Sequence, residues 1–123
     1  MDDRTRGRER LAEVASALTA RPDVEVGRMF GSEGYSVRGK MFAFVAKDGR
    51  LTVKLSAELI EELGLDNMVM RGSPMREWAV VPFDDGADRW RSVAADAYAF
   101  VDSITPKSDA AGAADAGRAT DAD

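Results

Sequence analysis

"GYSVRGKMFAFVAKDGRLTVKL", residues 34–55, carries two turn signals between short apolar runs, and its reading decides the fold. Its start also spells Gly34-x-x-x-x-Gly39-Lys40, the spacing of a phosphate-binding loop. Such a loop needs a Ser or Thr after the lysine to hold magnesium. It also needs a helix beginning there, whose dipole faces the phosphate. Here Met41 follows Lys40, and Phe42, Phe44 and Val45 favour a strand. The stretch therefore reads as a hairpin in which "YSV" runs up, Arg38-Gly39 turns and "KMFAFVA" returns. A second hairpin follows, with Asp48-Gly49 as a two-residue turn signal and "RLTVKL" as the next strand. There Leu51, Val53 and Leu55 alternate with Arg50, Thr52 and Lys54, which makes one face apolar.

Upstream, "VEVGRMF" alternates at Val24 and Val26 and predicts another strand. Before it, Leu11, Val14, Ala15 and Leu18 form one helical stripe. Arg21-Pro22-Asp23 ends that helix, because the residue before a proline resists helical geometry. Arg4, Arg6, Arg8 and Arg10 are interleaved with Asp2, Asp3 and Glu9, so residues 1–10 read as a solvated, charged lead-in. A basic arm for phosphates is the sharper alternative, but the acids cancel most of its field.

Downstream, Ser56 suits the N-cap of a helix whose Leu59, Ile60 and Leu63 face inward, and Gly64 suits its left-handed end. "NMVM" and "EWAVVPF" predict two more strands, split by the turn-rich "RGSP", with Pro82 at the strand end. The last helix carries Trp90, Val93, Ala94, Ala97, Tyr98 and Val101 on one stripe. Asp84, Asp85 and Asp88 lie at its positive end. After Pro106, "KSDAAGAADAGRATDAD" has no large apolar residue, and residues 106–123 are expected to be a disordered acidic tail. The element order α-β-β-β-β-α-β-β-α predicts a two-layer α+β domain over residues 11–105. Its sheet is mostly antiparallel, with flanking helices.

Composition narrows the chemistry. The 123-residue chain has a net charge of −5 and contains no His and no Cys. Ser-His-Asp triads, thiolate nucleophiles and the usual zinc sites are thereby excluded. No catalytic residue, cofactor or metal site is expected; Glu61, Glu62 and the acids near Asp88 read as solvated carboxylates. The absence of cysteine makes the cytoplasm the expected compartment. No apolar run is long enough for a membrane span, and the start lacks a secretory signal.

The strand "KMFAFVA" is apolar on both faces. Simple alternation puts Phe42 and Phe44 on one side and Met41, Ala43 and Val45 on the other. One helical layer covers only one face, so Met41, Phe42, Phe44 and Val45 are the candidate interaction surface and a homodimer is expected. Met68 and Met70 read as core by alternation. With Met75 and Trp78 they also suit an adaptable protein-binding patch. Arg28, Arg38, Lys40, Arg50 and Lys54 are locally in excess over Glu33 and Asp48, which makes them candidate anion or nucleic-acid contacts. No aromatic interleaves the Arg50-Thr52-Lys54 face to stack bases. A small-anion binder or enzyme using Tyr35, Arg38 and Lys40 is the remaining alternative.

"GRMFGSEGYSVRGKMFAFVAKDGRLTVKL" and the later "GSPMREWAVVP" resemble the N-terminal domain of the TfoX/Sxy family. The resemblance rests on Met29-Phe30-Gly31, Gly39-Lys40-x-Phe42-Ala43, Asp48-Gly49-Arg50-Leu51 and the Gly-x-Pro-Met turn, within residues 24 to 101. It implies a small α+β domain that often self-associates, and a role beside a transcription regulator, as in the competence co-regulators of that family. It implies no catalytic residues. The family's second, helical domain has no counterpart in the acidic tail. YjbR-like domains share the broad α+β style.

Overall fold

The computed structural model describes residues 3–29 and 32–106. The predicted disordered tail, apart from Pro106, lies outside that range.

The elements are α1 (Asp3–Val14), α2 (Ser16–Thr19), β1 (Val24–Met29), β2 (Ser32–Val37), β3 (Lys40–Val45), β4 (Leu51–Lys54), α3 (Ala57–Leu63), β5 (Asp66–Met70), β6 (Ser73–Val81) and α4 (Ala87–Ile104). The strands form a single antiparallel sheet in the order β1-β2-β3-β4-β6-β5. This is the α+β architecture that the element order predicts. Because β6 lies between β4 and β5 and runs against both, α3 is a crossover between two parallel strands.

Local sequence explains most of the boundaries. Arg38 (φ 49°) and Gly39 (φ 87°) both lie in the left-handed region and close β2 onto β3 as a two-residue turn. Arg71 (φ 54°) and Gly72 (φ 80°) do the same between β5 and β6. The Ser56 hydroxyl accepts the Leu59 N–H at 3.1 Å, and Gly64 ends α3 at φ 69°. Every stripe residue predicted on α4 is buried, from Trp90 to Val101. Phe42 stacks edge-on to Tyr98 of α4 at 5.7 Å and to Tyr35 of β2 at 6.5 Å, at the centre of the core.

Three expectations need correction. The first concerns β3. Tyr35 pairs with Ala43 but Ser36 pairs with Met41, so Phe42 is an extra residue in a β-bulge. A bulge shifts side-chain parity. Phe42 joins Ala43 and Val45 in the core under α1 and α4, and Met41 falls on the face of Phe44. Phe42 and Val45 are therefore core, and they leave the candidate interaction surface.

The second concerns the β3–β4 loop. Gly49 donates its N–H to the Ala46 carbonyl (2.9 Å), and Ala46 donates to Arg50 (3.0 Å). With Gly49 at φ 87°, this is a three-residue loop, Lys47 to Gly49, in place of the two-residue turn. The third concerns the charged lead-in, which is helical from Asp3 onward. Gly7 is buried there, and a Cβ added to it would lie 2.7 Å from the Gly49 carbonyl oxygen and 2.8 Å from Val45 Cγ1. The helix is seated on the hairpin loop by a glycine-to-glycine contact.

Candidate interaction surface

The sheet face away from α1 and α4 carries the row Phe44–Thr52–Val80, matched across three strands. Thr52 and Val80 are buried in that row. Beside it the bulge at Phe42 presents Met41, and Trp78 tilts against Phe44 with ring centroids 5.8 Å apart.

A second irregularity completes the surface. Along β5 the pairing jumps from Asn67↔Ala79 to Val69↔Pro74, so β6 bows out between those contacts. Asn67 Nδ2 donates to the carbonyls of Met75 (3.0 Å) and Arg76 (3.3 Å), which satisfies backbone groups that the ladder leaves free. The bow brings Met75 beside Met68, Met70, Met41, Phe44 and Trp78. Together these side chains line an apolar groove of about 420 Å³. Met68 is half-buried and Met70 is 46% exposed, so they are groove residues, and the core reading of them is corrected. The alternative reading, a Met patch beside Trp, describes the placement.

The basic candidates do not form one site, although Lys40 and Lys54 border the same cleft. Arg38 is a structural clamp. Its guanidinium donates to Asp23 Oδ2 (2.6 Å) and to the carbonyls of Asp102 (3.0 Å) and Thr105 (2.8 Å), and it pairs with Asp102 Oδ1 at 2.8 Å. Burial alone would lower its pKa, but the hydrogen bonds and charges of Asp102 and Asp23 outweigh burial and hold it above its ordinary value. Arg38 thus ties the end of α4 to the start of β1. Arg50 pairs with Asp48 at 2.7 Å. Lys54 pairs with Glu77 at 3.4 Å and lies over the Trp78 ring at 5.6 Å. Lys40 is exposed and borders an open cleft with Met41, Lys54, Trp78 and the end of α4. Arg28 lies in β1, and its side chain is outside the described part of the structure. Tyr35 is buried in the core, away from an anion site with Arg38 and Lys40.

The arginines near the start are also committed. Arg10 lies 3.5 Å above the Phe83 ring centroid and donates to the Phe83 carbonyl, while Arg6 covers the same ring at 4.5 Å. These residues fasten α1 to the 3₁₀ turn before α4. Sequence spacing held no signal for this, because Arg10 and Phe83 are distant along the chain. Among the described residues no cluster of carboxylates is placed to hold a metal, and no helix is long and apolar enough to cross a membrane.

Residues 16–114 match the TfoX N-terminal domain. The chain belongs to the TfoX N-terminal domain family. No curated protein matches it. The TfoX-matched segment covers every described strand and every groove residue, whereas α1, which packs on Gly49, lies ahead of it.

Proposed function

We propose that this TfoX-type domain is a non-enzymatic protein-interaction module that self-associates through its open sheet face and the adjoining β5. The observation that carries the reading is the apolar groove of Met41, Phe44, Met68, Met70, Met75 and Trp78, which reaches the edge strand β5. Flexible methionines around one aromatic ring repack against a protein surface at low cost. The chain has neither His nor Cys to support an enzymatic reading. Direct nucleic-acid contact is disfavoured because Arg38, Arg50 and Lys54 are engaged by acids of the same chain. The family resemblance extends the proposal to co-regulation of transcription through protein contacts. Sedimentation equilibrium at high micromolar concentration tests it: a dimer is expected, and a clean monomer refutes self-association.

A further inference from the structure

β5 is an edge strand with no described strand on its outer side. Edges are normally guarded by charge, proline or a bulge that turns them from a partner. The opposite edge, β1, carries the exposed charge of Glu25. Residues 67–70 of β5 read Asn-Met-Val-Met, without charge, and Val69 is 63% exposed and Met70 46% exposed.

The sequence of that edge is also symmetric. Two copies of one strand that pair antiparallel along the same edge are related by a two-fold axis perpendicular to the sheet. Only alternate residues present their N–H and C=O outward, so each residue must oppose one of its own parity. Met68-Val69-Met70 reads the same from either end about Val69. An axis at Val69 opposes Val69 to Val69 and Met68 to Met70 of the second copy, and it places Asn67 across from Arg71. Moving the axis to Met68 would oppose Met70 to the acidic Asp66, and moving it to Asn67 would oppose exposed Val69 to Leu65 and Met68 to Asp66.

We infer that a second copy of this chain pairs along β5, with Val69 on the two-fold axis, to make one continuous sheet across the dimer. Both helical layers then lie on one face, and the methionine grooves lie side by side on the other. This rests on the self-association proposed above and places its seam at β5.

The chain has no cysteine, so a single introduced thiol reports without background. Directly opposed residues in an antiparallel pair have Cα atoms about 4.5–5.5 Å apart, within the roughly 4.4–6.8 Å that a disulfide spans. Under mild oxidation, Val69→Cys is expected to form a covalent dimer on a non-reducing gel, and Val26→Cys, on the exposed β1 edge, is not. In sedimentation equilibrium Val69→Lys is expected to be monomeric and Val26→Lys, on the opposite edge, to remain a dimer. A dimeric wild type with no Val69→Cys cross-link and an intact Val69→Lys dimer overturns the edge geometry while self-association stands. Cross-linking of both cysteine variants to the same extent also overturns it. A monomeric wild type overturns self-association and this geometry together.

Discussion

Replacing Gly7 by alanine tests the seating of α1, and helix propensity and packing predict opposite signs for it. Inside a helix, Gly→Ala ordinarily stabilises by about 1 kcal/mol, because glycine loses more backbone freedom on folding. At Gly7 the new Cβ would lie 2.7 Å from the Gly49 carbonyl oxygen and 2.8 Å from Val45 Cγ1. The first obstacle is backbone in a tight loop. The loop has little room to retreat, since a Cβ on Gly49 itself would lie 2.5 Å from the Asp3 carbonyl oxygen. The second is a β-branched side chain that is buried in the core. Overpacking of this kind costs about 1–3 kcal/mol, and the rigidity of both neighbours places Gly7 toward the upper end. The net expectation is a destabilisation of about 1–2 kcal/mol after the propensity gain is subtracted. For a domain of this size each kcal/mol moves Tm by about 4–8 °C, which thermal unfolding followed by circular dichroism resolves. Gly27 is the control: it lies in β1 at ordinary φ with nothing within 4 Å of an added Cβ, so Gly27→Ala should leave Tm unchanged or raise it. A Gly7→Ala variant that melts above the wild type would refute the docking of α1 on the β3–β4 loop.

Two further substitutions probe polar groups whose roles are structural. Arg38→Met leaves Asp23, Asp102 and the last carbonyls of α4 without their donor, and urea unfolding should show a loss of about 2–3 kcal/mol. Because the Arg38 pKa is raised, its contribution is complete below the ordinary arginine value and lost only in stronger alkali. The gap between wild type and variant should therefore stay constant from neutral to mildly alkaline pH, and a gap that closes over that interval contradicts the clamp. Thr52 is fully buried and its Oγ1 has no hydrogen-bond partner among the described residues, so Thr52→Val should stabilise by about 1 kcal/mol. A lower Tm would show that the hydroxyl is satisfied.

What was legible in the sequence depended on how far apart the cooperating residues lie. The α4 stripe, the Ser56 and Gly64 caps and the Arg38-Gly39 turn each rest on a few neighbouring residues, and each reads directly. The Asp48-Gly49 signal located a turn but mistook its length, since the position of Gly49 also answers to α1. The candidate surface was half legible. Met41 and Phe44 were on it, but alternation placed them on opposite faces of β3 and grouped Phe44 with Phe42. The basic candidates were read as a local charge excess, because Asp23, Asp102 and Glu77, which neutralise much of it, come from other elements.

Local periodicity, capping and turn chemistry determined the elements and their order, because those terms act within a turn or two of chain. Tertiary structure decided which way β3 faces. An extra residue at Phe42 is accommodated only when β2 pairs around it and α4 receives its ring against Tyr98. That single bulge moves Phe42 into the core and brings Met41 to the open face. The choice is energetic: burying the phenyl ring in a long-range core outweighs keeping the ladder regular.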